Sequence, residues 1–164
     1  MFIVAFAVLL SVAQAEPLNA NLACIVDRIP PSVRESALAE AATGEGASVR
    51  QAFDDAAEAC ARERSWSSEF ASDAGRIAAA FVIGEEAEAA LRDNGIAPDL
   101  VHDWFDAQPA SVQQNIGDED SAALLIAHLQ TRGTSIERLE ANATTLGLML
   151  GVLQMIARIG NGAE

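Results

Sequence analysis

The sequence predicts an all-α fold, a single compact bundle of seven to eight helices with a buried C-terminal helix. Three observations predict it. Ala, Leu and Glu are the commonest of the 164 residues, every strongly basic residue is Arg, and these side chains lose little rotamer freedom in a helix. Apolar residues recur at helical rather than alternating spacing along most of the chain. Proline pairs, Asn-Gly and Gly-x-Gly then cut the chain into segments of helical length.

The N-terminal segment stands apart from that pattern. Phe2 to Val12 is an almost unbroken apolar run, and Ala13-Gln14-Ala15 supplies the small-x-small pattern of a cleavage site. Residues 1–15 therefore read as a secretory signal and 16–164 as a single all-α domain. The Met1 amino group is the one positive charge ahead of the run, because no Lys or Arg precedes it. A membrane span needs about 20 apolar residues, so no stable insertion is expected once the signal is removed. Cys24, behind Asn21-Leu22-Ala23, lies too far past the run for a lipoprotein. Lys is absent while Arg occurs ten times, a bias of GC-rich bacterial genomes. The expected location is the bacterial periplasm, with the extracellular space second.

A first helix is expected from about Leu18 to Arg28, since a residue before proline is pushed out of the α region and Pro30-Pro31 follow. Ser32-Val33-Arg34-Glu35 has the capping-box pattern for a second helix, ending near Thr43 before Gly44-Glu45-Gly46. Ser48-Val49-Arg50-Gln51 opens a third, with Val49, Ala52, Phe53, Ala56, Ala57 and Cys60 inward. After Ser65 to Ser68, a fourth helix carries Phe70, Ala74, Ile77 and Phe81 on its inner face. It stops at Asn94-Gly95, with Ile96 folding back on the last turn. Gly84 is a candidate kink, because the apolar stripe shifts after it toward Ala87 and Leu91.

Pro98 starts a fifth helix with Leu100, Val101, Trp104 and Phe105 inward, and Pro109 a short sixth ending near Gly117. Asp118-Glu119-Asp120 place negative charge at the start of a seventh, which runs to Arg132. Thr134-Ser135-Ile136-Glu137 caps the last, from about Ser135 to Ile159. That helix is apolar on nearly every side from Leu146 to Ile156, so it is expected at the centre of the bundle. Its apolar part is too short to span a membrane, holds Gln154 and ends at Arg158, and Gly147 and Gly151 are expected to admit a neighbouring helix closely.

An exported chain with two cysteines predicts a Cys24–Cys60 disulfide. On a helical wheel Cys24 points nearly opposite Leu22, off the main apolar seam of the first helix, while Cys60 lies on the inner face of the third. The bridge is thus expected to hold the third helix against the back of the first. A redox pair is disfavoured by the absence of Cys-x-x-Cys spacing.

Motifs for catalysis are missing: no Gly-x-Ser-x-Gly elbow, His-Glu-x-x-His helix, haem attachment or phosphate-binding loop occurs. No catalytic residue is assigned and no cofactor is expected. His128 shares a helix with Leu124, Leu125 and Leu129 and reads as a partly buried structural histidine. One cluster is a candidate for a divalent metal. Asp99, His102, Asp103 and Asp106 fall within about 100° of one helix face and supply oxygen and nitrogen donors. Glu85, Glu86 and Glu88 form a second acidic patch. Asn142-Ala143-Thr144 matches a glycosylation acceptor but falls inside an expected helix.

The chain carries 24 Asp and Glu against 10 Arg, a formal net charge of −14. Such a surface repels phosphate backbones and anionic head groups and favours cationic partners, so nucleic acid is excluded as a partner. By elimination the sequence points to a non-enzymatic envelope module that binds a protein or cell-envelope component through apolar surface left on its helices. An acidic divalent-cation binder built on Asp99, His102, Asp103 and Asp106 is the alternative, and a carboxylate-based envelope hydrolase the second. The oligomeric state is not fixed by the sequence.

Overall fold

Pro31 at the first position of one helix and Pro98 at that of another are pre-set for helical φ, and Gly44, Gly95 and Gly133, all at positive φ, follow the ends of three helices. In a computed structural model, which describes residues 15–116 and 119–161, this punctuation yields nine helices and no strand among the described residues. They are α1 Ala15–Val26, α2 Pro31–Thr43, α3 Ala47–Arg64, α4 Ser68–Asp93 and α5 Pro98–Asp106. There follow α6 Ala110–Gln113, α7 Glu119–Thr131, α8 Ile136–Ala141 and α9 Ala143–Asn161. The secretory signal, but for Ala15, and Asp118 at the head of α7 lie outside the described residues. Among the described residues no helix is long and apolar enough to cross a membrane.

The helix count exceeds the expected seven to eight because the last predicted helix is divided at Asn142. Its side-chain amide donates to the Arg138 carbonyl at 2.9 Å, while its own carbonyl accepts the Leu146 N–H at 2.9 Å to begin α9. An Asn side chain that competes for helical carbonyls in this way favours a break. Asn142 is also buried, which removes it as a glycosylation acceptor on this surface.

The breaks fall where expected, but the caps differ. Neither Ser32 nor Ser48 caps a helix: α2 is led by Pro30 and α3 by Gly46, and the Ser48 hydroxyl donates instead to Glu40 Oε2 at 2.7 Å. Ser67 does cap α4, accepting the Phe70 N–H at 3.2 Å. Gly95 takes the left-handed conformation at φ 73°, and the Ile96 N–H reaches the Leu91 carbonyl at 2.9 Å as Ile96 turns into the core.

The central strut is α4, which packs against α1, α2, α3, α5 and α9. It runs unbroken through Gly84, so the helix is not split there, and its 26 residues span about 39 Å. Its buried positions are mostly small: Ala71, Ala74, Gly75, Ala78, Ala80, Gly84 and Ala87, with Val82 and Leu91 the larger exceptions. That lining lets other helices come close. A Cβ on Gly75 would lie 3.2 Å from the Cβ of Ala57 on α3, and one on Gly84 3.1 Å from Cγ1 of Val152 on α9. The stripe predicted to face inward is rotated outward at both aromatic positions, where Phe70 is 37% and Phe81 39% exposed. Close packing against neighbours selects the alanines and expels the rings.

By contrast α9 is covered on one face, by α2, α4 and α6, rather than surrounded. Leu146, Met149 and Leu150 are buried, whereas Gly147 and Gly151 are exposed with nothing within 4 Å of a would-be Cβ. Apolar sequence does not by itself require burial, and here the far side of α9 stays open.

Buried residues fall into two clusters joined along α4. One gathers Leu22, Ile25, Val49, Phe53, Cys60 and Val82 from α1, α3 and the first part of α4. The other gathers Leu91, Val101, Trp104, Leu129, Leu139 and Met149 from the end of α4 and the helices after it. The Cys24–Cys60 disulfide, with Cα atoms 6.2 Å apart, lies in the first cluster. Both sulfurs are buried, so Cys24 is not behind the seam of α1 but on it. The physical reason is that α3 and α4 both pack on α1 and cover a wide arc, which takes in Cys24 as well as Ile25.

Candidate functional site

On α5, helical spacing sends Val101, Trp104 and Phe105 into the core and leaves Asp99, Asp103 and Asp106 exposed on the opposite side. His102 does not join those carboxylates. Its ring turns toward α4, where Nε2 lies 2.8 Å from Glu88 Oε1, and both side chains are about one third exposed. The contact needs a proton on Nε2, which then donates to the carboxylate. Among the described residues no three His, Cys, Asp or Glu side chains come together in a way that could hold a metal ion. The four residues lie on one helix as expected, but the His102 ring is spent on an interhelical bond to Glu88.

The His102–Glu88 pair sits at one end of an apolar groove of about 290 Å³ between α4 and α9. Phe81, Gly84, Met149, Val152, Leu153 and Ile156 make its walls, and Glu85 shares the polar end with Glu88 and His102. The groove exists because of the small residue at the crossing. With Gly84 against Val152 the two helices meet closely, and the large side chains on either side of the contact are splayed outward. Phe81 at 39% and Ile156 at 38% exposure are the open lips. Along α4 the order is aromatic first, then the acids one and two turns later, so the apolar and charged ends are separated by about 10 Å.

Sequence reasoning assigned Phe81 and Ile156 to the interior, so it missed the groove. The alanine and glycine spacing at Ala71, Ala74, Gly75, Ala78 and Gly84 was the available sign that the buried face of α4 lies elsewhere.

A second cleft of about 470 Å³ opens between α2, α3 and α4, floored by Phe53 and walled by Ala37, Ala79 and Ile83. Arg50 and Arg76 reach its mouth together with Glu40 and Asp54, and Arg76 is engaged by Asp73. Charges of both signs thus cancel there, and nothing at this mouth selects an ion. His128 has a different environment: it is half-buried, and its Nε2 has no hydrogen-bond partner among the described residues.

At the disulfide, Arg28 Nη1 donates to the Cys24 carbonyl at 3.0 Å and lies 3.1 Å from the Cys24 sulfur and 3.5 Å from that of Cys60. Its Nη2 holds both oxygens of Glu63 at 2.6 Å. One side chain therefore fastens α3 to the end of α1 beside the covalent bridge. The burial of both sulfurs marks the bridge as structural.

Compared with family models, curated proteins and solved structures, the chain matches none.

Proposed function

We propose that this protein is an exported, non-enzymatic interaction module of the bacterial envelope, which binds a protein or cell-envelope component in the groove between α4 and α9. The groove carries the reading. In it, large apolar side chains of two different elements, Phe81 and Ile156, stand exposed on either side of a common depression. Isolated exposed hydrophobics are ordinary, whereas an apolar depression rimmed by polar groups is the usual form of a binding surface. The buried disulfide and the apolar N-terminal run support export, and the expected compartment is the periplasm.

The test is site-specific photo-crosslinking in cells, with a benzoyl-phenylalanine placed at position 81 or at position 124. Leu124 is the control, since on α7 it is 60% exposed and away from the groove. A discrete adduct from position 81 that is missing from position 124 and disappears in Ile156→Asp is expected. Equal adduct patterns from the two positions would sink the reading.

A further inference from the structure

The charge around the groove narrows what it receives. Glu85 and Glu88 line its polar end, with Glu86 on the same turn of α4. Asp99, Asp103 and Asp106 flank His102 on α5 and are all exposed. Against the Glu85 and Glu88 carboxylates no Arg lines the groove, and the next arginine along α4 is Arg92, one turn beyond Glu88. Arg158, near the end of α9, points elsewhere: its Nε donates to the Gln114 carbonyl at 2.8 Å.

Building on the groove reading above, we infer that the occupant is a basic amphipathic helical segment of a partner protein. Its apolar side chains enter between Phe81 and Ile156, and its Lys or Arg residues lie over Glu85 and Glu88. The stretches Phe81 to Glu88 and Met149 to Ile156 each rise about 10 Å, two turns of helix, which matches apolar anchors at i, i+4 and i+7 of a docked helix. A second copy of this chain is a poor occupant, because a two-fold pairing through this face would set the same carboxylates against each other. Anionic bilayers are repelled for the same reason.

The decisive experiment titrates dye-labelled designed peptides into the exported, disulfide-bonded protein and reads fluorescence anisotropy. One peptide is an 18-residue helix with a Leu face and a Lys face, a choice of roughly five turns. The second carries Glu in place of every Lys, and the third keeps the Leu/Lys composition in scrambled order. Binding of the ordered Leu/Lys peptide alone is expected, weakened about five- to tenfold in Glu85→Gln/Glu88→Gln and by added salt, and abolished in Ile156→Asp. Phe81→Ser serves as a second groove variant should Ile156→Asp melt early.

Each other outcome overturns the inference in a distinguishable way. Binding of the Glu peptide too, lost in Ile156→Asp, refutes the cationic occupant and leaves the groove reading intact. Equal binding of the scrambled peptide, or binding that survives Ile156→Asp, shows adhesion to an acidic surface and nothing more. Ile156-dependent binding to phosphatidylcholine vesicles, or Ile156-dependent dimerisation in sedimentation equilibrium, replaces the peptide by a lipid or by a second copy. Silence in all of these, with no adduct from position 81, removes both the inference and the groove reading.

Discussion

Gly84 meets Val152 at the crossing of α4 and α9, so closely that a Cβ on the glycine would lie 3.1 Å from Val152 Cγ1. Val152 is β-branched and has few rotamers into which to retreat. Gly84→Leu is therefore expected to destabilise the protein by about 2 kcal/mol or more through overpacking. Gly84→Ala should be nearly neutral, because the gain in helix propensity of about 1 kcal/mol opposes the displacement of Val152. At Gly147 and Gly151, which have open space, alanine should instead stabilise by about 0.5–1 kcal/mol each. Urea unfolding of the variants checks the contrast. A large loss in Gly147→Ala would mean that this face of α9 has a close neighbour after all.

Cys24 and Cys60 are 36 residues apart, and closing a loop of that length restricts the unfolded chain by about 3 to 4 kcal/mol on the chain-entropy argument. Cys24→Ser/Cys60→Ser should lose stability of that order in a denaturant titration, and the oxidised wild type should show no free thiol to a thiol reagent, folded or unfolded, until a reductant is added. A double variant as stable as wild type would show that α1 and α3 are held by packing alone.

Arg28 lies against both sulfurs, so on reduction it would sit beside the thiol pair. A nearby guanidinium favours the thiolate, and the thiolate is the form that re-forms a bridge. Arg28→Gln is expected to slow reoxidation of the reduced, refolding chain severalfold, measured by acid-quenched thiol trapping. Because the Arg28–Glu63 pair is largely exposed, its loss should alter equilibrium stability by no more than about 1 kcal/mol. Unchanged reoxidation with a large loss of stability would reverse that assignment.

His128 Nε2 is buried without a partner among the described residues, and leaving a polar atom in that state costs about 1–3 kcal/mol. Leucine removes the cost while keeping an apolar body next to the buried Leu125 and Leu129 of the same helix. His128→Leu should thus raise the melting temperature in calorimetry. A lowered melting temperature would show that the ring makes a contact worth more than the unpaired nitrogen costs.

The Ser48 hydroxyl hydrogen bond holds the Glu40 carboxyl below its ordinary value, outweighing an opposing desolvation, with lesser help from Ser36 and the Val49 N–H. A group whose folded pKa is depressed contributes stability above its unfolded pKa and loses it as pH falls through the folded value. Ser48→Ala should accordingly be less stable than wild type at neutral pH, and the two urea midpoints should converge in acid once Glu40 is protonated in both states. A difference that persists unchanged into acid would mean that Ser48 acts through something other than Glu40.

The helical class, the breaks at Pro30-Pro31, Asn94-Gly95 and Gly133, the inward side of α5 and the pairing of Cys24 with Cys60 were all legible in the sequence. These are local matters: a proline's missing N–H, a glycine's left-handed φ and the spacing of Val101, Trp104 and Phe105 act within one or two turns. With two cysteines in the chain the pairing has no alternative.

Which helix lies at the centre was decided only by the tertiary structure. Hydropathy favoured the helix after Asn142, yet the bundle is organised on α4, because alanine and glycine at its contacts let five helices approach and the gain comes from closeness rather than from side-chain size. The same packing turned Phe81 outward and left Ile156 uncovered, and so made the groove. It also gave His102 to Glu88, across 14 residues of chain. No helical wheel contains such a pairing, since it depends on where a second helix lies.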